Sequence, residues 1–212
     1  MYICVYGGLF FGELQYLMTN REELEVWVEA LEAHDRGDIQ EAIRLFTSIA
    51  ESSRIWFNIA MIYANNDEHQ DAVASFQEAI ELDKYMAVAY FQQGVSHYLM
   101  EEYLQAVYNF NDALLYLRGN TYINYEQLGL NFRLYSCEIL FNRALCHFAL
   151  NETDQAMEDL QRAVKEQQSG RHLIIHDALA SQGRGVSFDY YYYYYYYYYY
   201  YYLKCSSYAI NI

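Results

Sequence analysis

The chain alternates apolar and polar positions with a helical period over most of its length. From Arg21 onward, apolar residues recur close to the i, i+3, i+4, i+7 spacing that buries one face of a helix. Short polar segments interrupt the pattern, and the clearest are residues 36–38 and 65–67. The pattern therefore predicts an all-α fold of helices joined by tight turns.

Small and aromatic residues recur at a fixed spacing within these helices. Ala72 with Phe76 is followed 34 residues later by Ala106 with Phe110, and Ala156 takes the same position 50 residues after Ala106. Such a period is typical of tetratricopeptide repeats, in which small residues let two antiparallel helices approach closely. We predict a solenoid of four helical hairpins and a C-terminal capping helix. The expected repeats are at about 23–50, 53–86, 87–118 and 137–168, within a repeat domain at 21–181.

The longer second spacing indicates an insertion between the third and fourth repeats, at residues 119–131. A repeat array buries its core by stacking neighbours, so an insertion that interrupts the stacking usually lies on one face, often the binding face. We therefore interpret this segment as the candidate functional element.

Neither end of the chain continues the repeat pattern. Residues 1–20 are mostly apolar but lack a basic start and contain glycines, so they fit neither a signal peptide nor a membrane span and are treated as an ill-defined leader. Residues 182–212 contain thirteen consecutive tyrosines, a composition that favours aggregation. We interpret this tail as aberrant, disordered and translated from an intron; a genuine low-complexity tail is the alternative.

The charge and the cysteines limit the possible functions. The sequence has 28 acidic and 13 basic residues, and its net charge of -15 repels phosphate backbones and anionic lipid, so we expect neither nucleic-acid binding nor direct membrane insertion. Four cysteines without a CxxC pair indicate reduced thiols in a cytoplasmic protein. No catalytic triad order or Gly-rich phosphate loop is present, so we predict no enzymatic activity and no cofactor.

Two pairs of histidines are candidates for metal binding or catalysis. His172 and His176 are four residues apart and could share a metal on a helix, but no third ligand is evident, so we predict a solvated or capping role. His97 and His147 occupy the same repeat position, and we interpret both as core or groove residues.

Two short segments show a closer resemblance. They are Ala-Val-Ala-Tyr-Phe-Gln-Gln-Gly at 87–94 and Leu-Arg-Gly-Asn at 117–120, the second at the start of the insertion. Over about residues 23–180 the chain resembles the N-terminal repeat domain of the cytosolic activator subunits of phagocyte-type NADPH oxidases. The resemblance implies an adaptor for superoxide production that binds GTP-loaded Rac, a small GTPase, and reaches the membrane through its partners. It also implies that the insertion forms a β-hairpin.

The resemblance further implies a set of Rac contacts in the insertion and the inter-repeat loops. These are Ser53, Asp83, Tyr85, Arg118, Asn120, Tyr122 and Asn124. Three depart from the family pattern, since Tyr85 replaces His, Tyr122 replaces Leu and Asn124 replaces Asp. Loss of the carboxylate at Asn124 removes a charge-assisted acceptor, and we expect weaker affinity. The family also carries an activation segment and SH3 modules, which this sequence lacks, so we expect it to hold Rac without activating the oxidase.

Two alternatives remain from the residues alone. Arg118 follows a helix and could satisfy the last carbonyls of that helix, or it could offer a forked donor to a partner's backbone. The whole domain could also be a generic scaffold or a co-chaperone-type module that clamps a C-terminal carboxylate in its groove. The clamp positions read Trp27, Leu31, Asn58, Val88 and Gln92, and only Asn58 matches, so we predict that this clamp does not form.

Overall fold

The structure is a computed structural model that describes residues 21–125, 133–168 and 172–184. These residues are helical apart from turns and one two-stranded sheet. The elements are α1 (Arg21–Asp35), α2 (Ile39–Ser48), α3 (Ser53–Asn65), α4 (His69–Leu82), α5 (Ala87–Leu99), α6 (Tyr103–Leu117), β1 (Tyr122–Asn124), β2 (Arg133–Tyr135), α7 (Ser136–Ala149), α8 (Thr153–Glu166) and α9 (Ile174–Ser181). The predicted all-α class with a small strand pair is confirmed. Strand β2 begins two residues after the predicted end of the insertion at 131, so the insertion extends to Tyr135.

The described chain divides into two compact units, and the first contains α1 to α4. Its core pairs aromatic rings between the two helices of a hairpin. The Trp27 ring meets Phe46 edge to face, with centroids 5.2 Å apart. The Phe57 and Phe76 rings are 5.6 Å apart in the next hairpin. These rings fill the space that the small residues of the repeat leave open.

The second unit contains α5 to α9, and its first hairpin shows why the repeat needs small residues. Phe91 and Phe110 pair across α5 and α6, with ring centroids 5.8 Å apart. A Cβ atom placed on Gly94 would lie only 2.8 Å from Cε1 of Phe110. Ala60 and Ala144 occupy the equivalent position in the second and fourth hairpins, and both are fully buried. The position therefore sets how closely the two helices of a hairpin approach.

The fourth hairpin and α9 share one apolar core. Leu160, which takes the place of the aromatic residue expected in the repeat, is fully buried among Leu140 and Phe141 of α7. Ile175 and Ala178 of α9 join the same core and are also fully buried. The helix α9 therefore covers the end of the fourth hairpin, as expected of a capping helix.

The first helix of each hairpin ends in the same turn. Gly37, Asp67, Glu101 and Asn151 all adopt the left-handed backbone conformation, with φ of 79°, 60°, 62° and 62°. In each case the next amide reaches back five residues, as in the 2.9 Å bond from the Glu102 N–H to the His97 carbonyl. This is a Schellman turn, which satisfies carbonyls that the helix leaves without partners.

The predicted leader lies outside the described residues, as does most of the predicted tail. Residues 182–184 are described and form a turn after α9. Within the described ranges, no helix combines the length and the apolar character that crossing a bilayer requires.

Candidate partner-binding site at the insertion

The insertion begins where α6 ends. Arg118 is the C-cap of α6 and has a left-handed backbone with φ of 54°, and Gly119 follows with φ of 77°. The Arg118 backbone N–H donates to the Leu115 carbonyl at 3.0 Å. Two consecutive left-handed residues turn the chain sharply out of the helix. The side chain of Arg118 is thereby placed at the junction between the third repeat and the insertion.

The guanidinium of Arg118 lies at the surface against an exposed tyrosine. Its Cζ is 5.1 Å from the centroid of the Tyr85 ring, and Lys84 Nζ lies at the same distance from that ring. Tyr85 is 54% exposed. Among the described residues no carbonyl accepts a bond from the guanidinium, so the interpretation that this side chain satisfies the helix carbonyls is wrong. Cation–π contact, instead, orients the fork while leaving it accessible.

Aromatic residues of α5 and α6 support the Tyr85 ring. Tyr116 packs against Tyr85 edge to face, with centroids 5.9 Å apart. Tyr90 stacks on Tyr116 at 4.9 Å, and its hydroxyl donates to the Lys84 carbonyl at 3.2 Å. The rings of Tyr85, Tyr90 and Tyr116 thus form a platform beneath Arg118. Tyr85 lies between α4 and α5, Tyr90 in the first turn of α5 and Tyr116 in the last turn of α6.

Asn120 supplies the capping bond that the Arg118 side chain does not. Its Nδ2 donates to the Leu117 carbonyl at 2.8 Å, and its backbone N–H donates to the same carbonyl at 3.0 Å. The chain then enters β1, where Tyr122 is 42% exposed. The Tyr122 ring packs on Tyr135 of β2 with centroids 5.6 Å apart, and Arg133 Cζ is 6.0 Å from its centroid.

The remaining predicted contact residues lie at helix ends or in the sheet. Ser53 is half-buried and begins α3, but the helix is capped by Ser52, whose hydroxyl accepts from the Ile55 N–H at 3.4 Å. The N-cap of α3 is therefore Ser52, and Ser53 is the first residue of the helix. Asp83 is half-buried at the C-cap of α4, and Asn124 is half-buried at the end of β1.

The structure brings Tyr85 and Arg118 into contact, and both belong to the second unit together with Asn120 and Tyr122. Ser53, Asp83 and Asn124 belong to the first unit. The contact that defines the candidate site therefore lies within the second unit, at the base of the insertion.

One of the two candidate metal-binding histidines at the C-terminal end of the repeats is buried near the insertion. His172 is 1% exposed, so its predicted solvated or capping role is wrong. Its Nε2 lies 2.9 Å from Glu138 Oε1, and its Nδ1 lies 3.5 Å from Cys137 Sγ. His176, by contrast, is exposed and bonds Gln167 at 2.7 Å. No group of three potential metal ligands occurs in the described part of the chain.

The Cys137–His172 contact is not a nucleophilic pair. Burial, reinforced by the neighbouring Glu138 charge, raises the pKa of the Cys137 thiol to about 12. Burial also raises the pKa of Cys146 well above its ordinary value. Both thiols are therefore protonated at neutral pH, and a protonated buried thiol is chemically inert. Both are free cysteines, whereas Cys4 and Cys205 lie outside the described residues.

His97 and His147 have matching structural contacts. The Nδ1 atom of His97 is 2.6 Å from Glu102 Oε2, and that of His147 is 2.7 Å from Glu152 Oε2. Each pair joins the end of one helix to the turn that follows it. Both histidines are half-buried and strengthen the hairpin turns rather than converging on a reactive group.

The fold defines a tetratricopeptide-repeat protein. Family models described as Tetratricopeptide repeat match residues 53–85, which contain the second hairpin, and residues 138–168, which contain all but the first two residues of the fourth. Among solved structures, MamA from Desulfovibrio magneticus RS-1 superposes with a TM-score of 0.62 and 14% sequence identity, covering 78% of this chain and 85% of that chain. At that identity the similarity supports the fold alone.

Proteins of similar sequence show which tetratricopeptide-repeat proteins this chain is related to. Neutrophil cytosol factor 2 of Mus musculus is 38% identical over 165 residues, which cover 77% of this chain and 31% of that protein. The NADPH oxidase activator of Dictyostelium discoideum is 33% identical over 126 residues, covering 59% of this chain and 21% of the relative. The chain is therefore a tetratricopeptide-repeat homologue of the NADPH oxidase activators, which confirms the resemblance seen in its sequence. It spans less than a third of the length of these relatives.

Proposed function

We propose that the chain is an adaptor that binds GTP-loaded Rac through the insertion and the inter-repeat loops, as part of NADPH oxidase activation. Relatives named as oxidase activators and as a cytosol factor support the role in the oxidase. Those names describe activation and location rather than a reaction, which is consistent with a cytoplasmic non-enzyme. Recruitment to the membrane then occurs through the partners of the adaptor.

The observation that carries this proposal is the exposed Arg118 guanidinium held against Tyr85. A guanidinium offers five donors in a planar fork that can bridge carbonyl or carboxylate oxygens. The switch loops of small GTPases are irregular and change conformation with the nucleotide, so their backbone carbonyls are suitable acceptors. Because the ring already orients the fork, less conformational entropy is lost on binding.

The neighbouring tyrosines add contact area to this donor. Tyr85 and Tyr122 are 54% and 42% exposed, and each packs against another ring on its buried side. Tyrosine contributes a large, rigid surface at low entropic cost, and aromatic residues with arginine are enriched among residues that dominate binding energy. The site therefore combines one charged donor with two rigid apolar surfaces.

The co-chaperone alternative is not supported by the residues at its groove positions. Trp27, Leu31 and Val88 are apolar and at most 2% exposed. Asn58 is fully buried and Gln92 is 8% exposed. A terminal carboxylate needs cationic donors that reach the surface. These five positions provide none.

The test is a pull-down with GTP-loaded Rac. We expect Arg118→Glu to weaken binding at least about tenfold, since the substitution replaces a central donor with a repelling charge. The helical circular dichroism should not change because the side chain is exposed.

Arg44→Glu is the matched control, because Arg44 is 64% exposed on α2, pairs with Glu41 and is not among the proposed contacts. This variant carries the same charge change and should bind like the wild type. Equal capture by Arg118→Glu and the wild type, or equal capture of GDP-loaded and GTP-loaded Rac, would contradict the proposal.

A further inference from the structure

Residues that follow α8 contact the base of the insertion. Gln168 Nε2 donates to Thr121 Oγ1 at 2.7 Å, across 47 residues of sequence. His172 reaches Tyr135, the last residue of β2, with ring centroids 5.1 Å apart. We refer to residues 167–168 and 172–173, between α8 and α9, as the strap. The strap meets the insertion at both Thr121, before β1, and Tyr135, at the end of β2.

One buried carboxylate joins the strap to β2. Glu138 lies in the first turn of α7 and is 4% exposed. Its Oε2 accepts from the Tyr135 backbone N–H at 3.3 Å, and its Oε1 lies 2.9 Å from Nε2 of His172. A carboxylate removed from water requires partners for its oxygens. His172 therefore helps to hold Glu138 where it caps the start of α7 and the end of β2.

A continuous line of rings connects the strap to the surface. The buried His172 ring contacts Tyr135, which is 7% exposed. Tyr135 in turn packs on Tyr122 of β1, which is 42% exposed. Tyr122 is one of the proposed partner contacts. The exposed ring is thus two contacts away from a histidine that no partner can touch.

We infer that His172 is a positioning residue for the partner-binding insertion. The strap holds β1 and β2 in the arrangement that presents Tyr122, through the Glu138 bond and the packing of Tyr135. The dependence of partner binding on His172 rests on the proposed function. The positioning of the two strands does not, because it follows from contacts within the chain.

Hydrogen exchange of the full chain tests the positioning directly. In His172→Ala, we expect the amides of 122–124 and 133–135 to exchange at least about tenfold faster, because their local opening becomes easier. The amides of α1 to α4 should be unchanged and serve as the internal control.

Two further variants separate the contributions of the histidine. His172→Gln places an amide donor near the Nε2 position and should restore most of the protection. His172→Phe keeps the ring packing on Tyr135 but loses the bond to Glu138, and should restore less. His97→Ala is the matched control, since this half-buried histidine of the second unit contacts Glu102 after α5 rather than a residue of the strap.

Affinity for GTP-loaded Rac tests the consequence for binding. We expect His172→Ala to bind about fivefold to tenfold more weakly, as coupled but non-contacting residues commonly do, with recovery in His172→Gln. If His172→Ala does not fold, Glu138→Gln removes the carboxylate that His172 contacts, with less loss of volume, and gives the same expected pattern.

Unchanged exchange in β1 and β2 would overturn the inference, and so would exchange that rises equally in α1 to α4. If the wild type fails to bind Rac while His172→Ala still loosens the two strands, the proposed function fails and the positioning role stands. If the wild type binds Rac and the loosened variant binds equally well, the role of His172 in partner binding is refuted.

Discussion

The left-handed backbone conformation destabilises some residue types more than others, and four turns of this chain contain it. The Schellman turns use glycine at position 37 and other residues at Asp67, Glu101 and Asn151. Asp and Asn tolerate the left-handed region better than most residues, whereas a Glu there carries a steric penalty. Glu101 is exposed and is therefore the residue at which this penalty can be removed without loss of packing.

We expect Glu101→Gly to raise the free energy of unfolding by about 0.5–1 kcal/mol, because glycine adopts this conformation without strain. Urea denaturation followed by circular dichroism measures the change. The control is Glu158→Gly in the exposed middle of α8, which should lower stability by about 1 kcal/mol through lost helix propensity. A loss of stability in both variants would show that Glu101 makes a contribution beyond its backbone.

The placement of some single residues could be predicted from the sequence, whereas that of others could not. The sequence left two alternatives for Arg118, a cap for the helix carbonyls or an exposed donor for a partner. Both could be named because the position of Arg118 directly after a helix is visible in the local sequence. Burial of His172 had no such signal, because its partners Cys137 and Glu138 lie 35 and 34 residues away. The cap at Ser52 rather than Ser53 illustrates a different limit, since adjacent serines are equivalent in a sequence pattern.

Whole elements were easier to predict than single contacts. The hairpins follow from spacings within about one repeat length, because the residues that set the packing of two helices recur in each unit. The strands of the insertion are three residues each and carry no clear alternation, so they were expected only from the family resemblance. Local periodicity thus predicts the helices, whereas the insertion that forms the candidate site breaks that periodicity.

The packing of α5 on α6 leads to a prediction that opposes helix propensity. Gly94→Ala should stabilise an isolated helix, yet its Cβ would overlap the buried Phe110 ring. We expect a net loss of about 1–2 kcal/mol in unfolding free energy, because overpacking a filled core forces neighbours to shift.

Thermal and urea unfolding of Gly94→Ala measure this loss. Ala144→Gly at the equivalent position of the fourth hairpin is the comparison, and it should also destabilise, through propensity rather than overlap. A gain in stability for Gly94→Ala would mean that the two helices separate at little cost.

At the scale of the whole molecule, the charge is the dominant physical property. A net charge of -15 on 212 residues places acidic groups close enough to repel one another in the folded state. Ion pairs such as Arg143 with Asp159 offset only part of this repulsion.

We therefore expect the thermal midpoint to rise by a few degrees when KCl is increased from about 0.01 M to 0.15 M, since the screening length falls from about 30 Å to 8 Å. Differential scanning calorimetry at constant pH measures the shift. An uncharged osmolyte at the same osmolality provides the control and should produce a smaller change. A midpoint that falls with salt would indicate that attractive pairs outweigh the repulsion.

The hydrogen bonds between Thr121 and Ser136 have an evolutionary consequence. The Thr121 carbonyl accepts from both the backbone N–H and the hydroxyl of Ser136, at 3.0 and 3.3 Å. These bonds bring the two ends of the inserted segment together. The connection between α6 and α7 therefore does not depend on the sequence of the residues between Thr121 and Ser136. Because the entropy of closing a loop grows only logarithmically with its length, natural selection can lengthen, shorten or exchange the intervening residues at small cost. Recognition of new partners can therefore evolve at this point of the chain without rebuilding the helical scaffold.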